Sequence, residues 1–344
     1  AALTQIIASN LNGTAANTTQ AAANVGQVIE LVGTNFNTGT QVQFTTRDNA
    51  GNTSVVAASP LLVNADGTRL QVIVPELAST GDVRVSNLGM VNLGFNSYND
   101  TIHRGQTLSF TAGAETAVIR FADGGLQNNP DDESWGIDNV VLRQGSTIAF
   151  EDDFEAGTKA NWSDTTTDNS IPATFSRFSG RFNNASQTLN LTGLTAGQTY
   201  TLNFDLYAID SWEGNNGNPD QFNVVVDGTT LWSKTLSHDR SHVQTINASA
   251  GLRLQVVPTL TSMSGRPGED GAFTLNGSGF MEGASTITVG GVVMADPDTF
   301  SSPFNVTGSS RNSAIDAVAP RTLDGPIRIT TEGGFAELPA ADFG

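Results

Sequence analysis

The sequence predicts an all-β protein. Gly, Asn, Thr, Ser and Val dominate the 344 residues, and turn dipeptides recur about every ten residues, as in proteins built from short strands. No segment keeps apolar residues at the helical spacing i, i+3, i+4, i+7 for three turns. A chain of this length can bury two or three hydrophobic cores, so we expect several β-domains.

The charge balance restricts the partners. Sixteen basic against 34 acidic side chains give a net charge of −18, which repels nucleic acid and anionic membranes and attracts divalent cations. The chain has no cysteine, so its stability must come from its cores or from bound ions. No apolar run approaches the roughly twenty residues of a membrane span. We therefore expect neither a nucleic-acid partner nor a membrane span.

A repeated order of strands marks the two ends of the chain. LTQIIAS at 3–9 and GTNF at 33–36 correspond to LTSMSG at 260–265 and GSGF at 277–280, and the closing strands match as well. The opening strand, the Gly-x-x-Phe turn and the closing strand resemble the IPT/TIG family of immunoglobulin-like (Ig-like) sandwiches. The resemblance implies two Ig-like β-sandwiches that bind or space other domains and do not catalyse. One branch of the family binds DNA, which the acidic charge here argues against.

The closing hairpin differs between the two copies. In the second copy it is direct, PIRITTEGGFAELPA, whereas in the first about 160 residues of unrelated sequence separate DVRVSN from AGLRLQVVP. Insertion into a loop whose ends lie close together is tolerated. We therefore predict that the strand near 82–86 pairs with the strand near 251–257. The predicted domains are a first sandwich of residues 1–88 and 249–258, an inserted domain of residues 89–248, and a second sandwich of residues 259–344.

The inserted part contains an acidic FE strand with a nearby tryptophan, DDFEAGTKANW at 152–162, and the segment DESWGIDNVVL at 132–142. These segments resemble jelly-roll domains of the carbohydrate-binding-module type in bacterial extracellular proteins. The half that normally comes last (92–142) here precedes the half that normally comes first (147–246). The resemblance implies a circularly permuted jelly roll. Arg143-Gln144-Gly145 is expected to join two neighbouring strands as a hairpin within one chain. The alternative is that this turn straightens and a neighbouring chain completes the jelly roll.

This hairpin is expected to bring Asp138 close to Glu151, Asp152, Asp153 and Glu155. Carboxylates that close repel one another unless a cation lies between them. The alternative is a solvated acidic edge. The resemblance to the jelly-roll domains implies a structural calcium held by Glu155 and Asp138, with Asp152 or Asp153 completing the oxygen shell.

A second acidic group, Asp210, Glu213 and Asp220, lies in the segment DSWEGNNGNPDQF and is a candidate for a further cation site with Asp132 and Glu133. Carboxylate oxygens are the ligands that calcium prefers. The alternative is an exposed loop, because Asn and Gly are abundant there.

The four tryptophans all lie in the inserted part. Trp135 and Trp162 are expected in its core, since large aromatic side chains are usually buried. Trp212 stands among polar residues and is the candidate for exposure, where its ring could stack on a sugar. Asp132 and Glu133 are the candidate ligand-binding residues beside it.

The motifs of common enzymes are absent from the sequence: it has no Gly-x-Ser-x-Gly, Walker or His-Glu-x-x-His pattern. We therefore predict a non-catalytic structural or adhesive protein of the bacterial cell surface. It would be a calcium-stiffened fibre or a repeat segment, with other copies of itself or neighbouring modules of a longer fibre as partners. The alternatives are a lectin module that binds cell-surface glycans and an accessory region of a secreted polysaccharide-degrading enzyme. An exposed aromatic row would favour the lectin, and an all-polar surface would favour the spacer.

Overall fold

The computed structural model describes residues 1–48, 52–95, 100–127, 129–169, 176–215, 217–239, 241–265, 272–295, 304–307, 312–318 and 325–339. Within these ranges the chain forms strands and no helix, which confirms the predicted all-β class. Accordingly, none of the described segments is a helix long and apolar enough to cross a membrane. The chain divides into two compact units, Ala1–Asn87 with Asn247–Gly344, and Leu88–Ile246.

The first unit begins with a β-sandwich, here called the first sandwich. Its buried residues alternate with more exposed ones, as in strand β4 (Val28–Thr34), so that Leu31 and Val72 of one sheet share a core with Val42 and Val85 of the other. One sheet has the order β1 (Ala2–Ile7), β4 (Val28–Thr34), β8 (Arg69–Ile73), β7 (Leu62–Val63), and the other the order β3 (Ala22–Ala23), β21 (Leu252–Val256), β9 (Ala78–Asn87), β5 (Thr40–Arg47), β6 (Thr53–Ala58).

The pairing of β9 with β21 joins residues far apart in sequence. Val83 lies opposite Leu252 and Gly81 opposite Leu254, in antiparallel register. This is the pairing that the uninterrupted hairpin of the second copy predicts. The structure groups both terminal sandwiches in one compact unit, so the division of the chain into three domains stays a prediction.

The same unit contains the second sandwich. Phe273 and Ile315 of one sheet and Ile287 and Ile329 of the other fill a separate core. The first sheet has the order β22 (Thr259–Gly265), β23 (Ala272–Ser278), β27 (Ala314–Val318), β26 (Phe304–Thr307), and the second the order β2 (Thr14–Ala15), β29 (Gly334–Leu338), β28 (Ile327–Thr331), β24 (Thr286–Val289), β25 (Val292–Ala295).

Leu88–Ile246, here called the insert, forms the second compact unit. Its two sheets enclose a core rich in aromatic rings, and Trp135 and Trp162 lie in that core as predicted. One sheet has the order β10 (Met90–Val91), β11 (Asp100–Thr111), β18 (Thr199–Asp210), β13 (Glu133–Gln144), β16 (Arg177–Phe182), β15 (Thr167–Asn169), with β14 (Thr147–Asp152) also paired to β13; the other has the order β17 (Ser186–Thr192), β12 (Thr116–Gly124), β19 (Gln221–Val226), β20 (Thr229–Thr235).

The strands β13 and β14 form a hairpin within the chain, as expected. Their pairing extends to Gln144 opposite Thr147, so the turn is Gly145-Ser146, and Arg143 and Gln144 belong to the strand. Gly145 has a φ of 57°, the left-handed conformation that a tight hairpin turn requires.

Candidate metal centre

Three carboxyl groups of the insert converge at one end of β13. Glu133 is the first residue of that strand, while Glu213 and Asp220 lie in the connection between β18 and β19. One oxygen from each lies within 4.8 Å of the others, and this is the group of three such ligands found among the described residues. Glu133 and Asp220 are buried, and Glu213 is half-buried. All three residues are among those predicted from the sequence as cation ligands.

Local hydrogen bonds hold the connection in this shape. The Glu213 N–H donates to a carboxylate oxygen of Asp220, and the Asp220 N–H donates to the Gly214 carbonyl at 2.8 Å. Gly214 has a φ of 66°, and a Cβ there would lie 2.7 Å from the Val243 carbonyl oxygen. Glycine is therefore required at the point where the loop brings Glu213 against Asp220.

The electrostatics of this group favour either protonation or a cation. Burial, with the neighbouring charges of Asp220, Glu213 and Asp132, raises the pKa of Glu133 to about 8, against the lowering effect of the Gln127 N–H. Burial likewise raises the pKa of Asp220 to about 6. Three carboxylates this close cannot all be ionised unless positive charge lies between them. An all-oxygen set of ligands suits calcium or magnesium.

Gln127 adds a polar group at the edge of the site. Its backbone N–H donates to Glu133 Oε2 at 2.9 Å. Its carboxamide lies 2.7 Å from Glu133 Oε1. There the amide nitrogen would donate to a free carboxylate, whereas the amide oxygen would become a further ligand of a bound cation.

Asp210 and Asp132 do not belong to the group of three. Asp210 is buried, and its Oδ2 lies 3.4 Å from the Arg181 guanidinium. Burial and the nearby Asp100 raise the pKa of Asp210 to about 6. Asp132 accepts a hydrogen bond from the Ser211 hydroxyl at 2.9 Å. The five predicted acidic residues therefore separate into a group of three, an aspartate paired with Arg181, and Asp132, which is hydrogen-bonded to Ser211.

The carboxylates of the first predicted calcium pair, Asp138 and Glu155, both bond to the segment that contains Ser176 and Arg177. Buried Asp138 accepts hydrogen bonds from the hydroxyls of Ser176 at 2.8 Å and Tyr207 at 3.2 Å. Exposed Glu155 accepts one from the Arg177 N–H at 2.8 Å. Because Ser176 and Arg177 are consecutive, the two carboxylates approach the same stretch. A calcium shared between them stays a prediction.

Asp152 and Asp153 have local partners. Buried Asp152 accepts hydrogen bonds from the N–H groups of Phe154 at 3.1 Å and Lys159 at 3.0 Å and from Trp162 Nε1 at 2.9 Å. Asp153 accepts one from the Glu155 N–H at 3.3 Å. Asp152 therefore closes the loop after β14 and orients the Trp162 indole in the core.

The expectation that Trp212 is exposed is wrong. Its side chain is 0 % exposed, and its Nε1 donates to the Ser134 carbonyl at 3.0 Å. It packs in the same core as Trp135. The polar residues around Trp212 in the sequence suggested exposure, but its indole faces inward and its N–H has a backbone partner. Trp212 therefore cannot stack on a sugar in this conformation.

Two histidines, His103 and His238, lie close together around one hydroxyl group, which the sequence did not predict. The Thr101 hydroxyl lies 3.0 Å from Nε2 of both His103 and His238, and His238 Nδ1 also bonds the Asp210 carbonyl. Burial lowers the pKa of His103 to about 3 and that of His238 to about 4, so both rings are neutral. The alternation of Thr101 and His103 on one face of β11 was the available signal.

Comparison with known proteins identifies no family. No family model and no curated protein matches the chain. One similar solved structure is that of manganese lipoxygenase of Gaeumannomyces graminis with a partial structure of zonadhesin of Komagataella pastoris; the match has 10% identity, covers 72% of this chain and 99% of that chain, and has a TM-score of 0.19. A second is a tetra-tandem repeat in the extending region of a large adhesion protein, with 13% identity, coverage of 91% of this chain and 69% of that chain, and a TM-score of 0.16. A third is the collagen-binding domain of Erysipelothrix rhusiopathiae surface protein RspB, with 12% identity, coverage of 74% of this chain and 97% of that chain, and a TM-score of 0.19. TM-scores this low do not establish a common fold.

Proposed function

We propose that this chain is a non-catalytic structural or adhesive module of a bacterial cell surface, stabilised by calcium. The observation that carries the proposal is the placement of its aromatic rings. Among the described residues, the exposed large hydrophobic side chains are all aliphatic, while Trp135, Trp162 and Trp212 are buried. Sugar-binding faces present aromatic rings to solvent, and a spacer needs none. The IPT/TIG-like and permuted jelly-roll assignments belong to the same proposal.

The acidic group of Glu133, Glu213 and Asp220 suits a structural cation better than catalysis. Two of its three members are buried, and glycosidase chemistry instead requires two carboxylates on either side of a groove that holds the sugar. A calcium bound by the three would neutralise their repulsion. It would also join the β18–β19 connection to the start of β13, so that binding stabilises the folded insert.

Thermal unfolding of the full chain in calcium and in a strong chelator tests the calcium part. An ion that binds only the folded state at about 100 times its dissociation constant adds about 2.7 kcal/mol to the free energy of unfolding. We expect a higher melting temperature in calcium. An identical melting temperature in calcium and in chelator would contradict calcium binding.

The structural role is tested separately from the calcium site. We expect sedimentation velocity in calcium to show association of the chain with other copies of itself, and a glycan array to show no binding. Saturable binding to one class of glycan, by a chain that stays monomeric, would instead support the lectin alternative.

A further inference from the structure

We propose that residues 9–24 act as a clamp that makes the two terminal sandwiches one cooperative folding unit. The clamp lies within the connection between β1 and β4 of the first sandwich. It contains β2 and β3, which lie in sheets of different sandwiches. This inference concerns how the chain holds itself together, and it does not depend on the proposed surface role.

The first half of the clamp completes a sheet of the second sandwich. β2 pairs antiparallel with β29, with Thr14 opposite Phe335 and Ala15 opposite Gly334. The Ala16 N–H donates to the Gly333 carbonyl at 3.0 Å. The edge of β29 is therefore covered by a strand from the first sandwich, which removes unpaired backbone groups from that edge.

The second half of the clamp returns to the first sandwich. β3 pairs parallel with β21, with Ala22 opposite Gln255. The Gln255 carboxamide both accepts from the Asn17 N–H and donates to the Asn17 carbonyl, each at 2.7 Å. Since β21 and β29 hold corresponding places in the two sandwiches, a single connection supplies the edge strand next to each of them.

A buried asparagine fastens the clamp to the linker between the sandwiches. Asn24 is 4 % exposed, and its Oδ1 accepts from the N–H groups of Leu11 and Asn12, both at 2.8 Å. Its Nδ2 donates to the carbonyl of Val257 at 2.9 Å. Val257 and Pro258 connect β21 to β22. All the polar atoms of this side chain are used, so its position is well defined.

The second sandwich lacks a connection of this length. Twenty residues, 8–27, separate β1 from β4, whereas residues 266–271 alone separate β22 from β23. In the first copy the two edge strands and the residues between them take up ten residues, 14–23, so a connection of six residues is too short for the same arrangement. The clamp is therefore an addition to the first copy and not a common part of the repeat.

Two glycines provide a matched test of the clamp. Gly13 has a φ of 73°, and a Cβ there would lie 2.7 Å from the Phe335 carbonyl oxygen and 2.9 Å from that of Pro258. Gly26 has a φ of 79°, and a Cβ there would meet nothing within 4 Å. Alanine strains the backbone equally at both positions, but only at Gly13 does its methyl group press against the second sandwich and the linker.

The experiment is amide hydrogen exchange on the full chain carrying Gly13→Ala or Gly26→Ala. We expect Gly13→Ala, relative to Gly26→Ala, to speed exchange in β23 and β27 about ten- to a hundredfold, the range for one methyl group forced into a packed site. These strands belong to the sheet of the second sandwich in which neither β2 nor β3 pairs. Faster exchange confined to residues 9–24 and to β29 would overturn the proposal.

A second pair of variants covers the case in which Gly13→Ala does not fold. Ala16→Pro removes the N–H that donates to the Gly333 carbonyl, and Ala16→Ser at the same site keeps it. Faster exchange in β23 and β27 with Ala16→Pro but not with Ala16→Ser supports the clamp. Equal exchange in the two variants overturns it.

Discussion

Glu133, Glu213 and Asp220 show how burial by the fold changes the chemistry of single residues. In water each would be ionised near neutral pH, but burial and mutual repulsion raise the pKa of Glu133 to about 8. The folded insert must therefore either bind a proton or bind a cation at this point. The stability of the insert should therefore depend on the pH or on the concentration of the cation.

The first prediction concerns Glu213→Gln. In chelator, neutralising one of three neighbouring carboxylates should raise the free energy of unfolding of the insert by about 1 kcal/mol, because it removes a partly screened repulsion. In calcium the same change should remove most of the calcium-induced rise in melting temperature, because it removes a charged ligand. Glu115→Gln, at an exposed position of the insert outside this group, is the control. A full calcium effect in Glu213→Gln would contradict the site.

The second prediction concerns pH. The pKa of Glu133 rises from 4.5 to about 8 on folding, so its contribution to stability is complete below pH 4.5 and is lost as the pH rises through about 8. In chelator the melting temperature should therefore fall between about pH 6 and pH 8, since protons leave the buried carboxyl groups. Calcium competes with those protons, so the calcium-induced shift should be larger at about pH 8. Calorimetry in calcium and in chelator at about pH 6 and pH 8 measures these melting temperatures. A larger calcium-induced shift at about pH 6 would contradict the competition between calcium and protons.

Sequence alone located the charges of the site but not their partners. The concentration of acidic residues in one segment points to Glu213 and Asp220, and the structure brings them to Glu133. Nothing in the sequence distinguishes them from Asp152, whose oxygens accept from Phe154, Lys159 and Trp162 instead. Such donors come from side chains and backbone placed by the fold, which no pattern of charges specifies.

Among the strands, β9 and β21 form the pairing that joins the two separated parts of the first sandwich. They pair although residues 88–251 separate them. The repeat made this pairing predictable, because the second copy contains the same hairpin without interruption. The strands β2 and β3 were not predictable. Each has two residues, too few to show alternation, and their pairing depends on which sheet edge lies nearby.

The third prediction removes the insert. Ser249 N donates to the Val85 carbonyl at 2.8 Å, so joining Asn87 directly to Asn247 leaves a short loop between paired residues, within the usual length of a hairpin loop. The shortened chain should fold and unfold in one cooperative transition. Circular dichroism with thermal denaturation measures this. A control that also lacks β21 should not fold, because β21 lies between β3 and β9; failure of both chains would contradict the nesting.

At the scale of the whole molecule, the chain combines two compact units with a net charge of −18. The acidic group of three belongs entirely to the insert. Composition predicts an affinity for cations, because excess carboxylates attract them. Composition alone does not predict which unit would bind a cation, since that depends on which carboxylates the fold buries together.

The fourth prediction follows from this division. Calorimetry of the full chain should show two transitions, and calcium should shift only one of them, because an ion stabilises the unit that binds it. The shortened chain without residues 88–246 should retain only the calcium-insensitive transition. If calcium shifts the transition of the shortened chain to the same extent, the bound ion is not in the insert.

The points at which the insert leaves and rejoins the first sandwich have a mechanical consequence. Val85 and Ser249 are hydrogen-bonded neighbours, so tension carried along the first sandwich crosses from β9 to β21 without stretching the insert. Only if that pair of strands opens does the load reach residues 88–246. Their unfolding would then release roughly 500 Å of extended chain, at about 3.4 Å per residue. A domain nested in this way carries no load until β9 and β21 separate, and its unfolding then lengthens the chain.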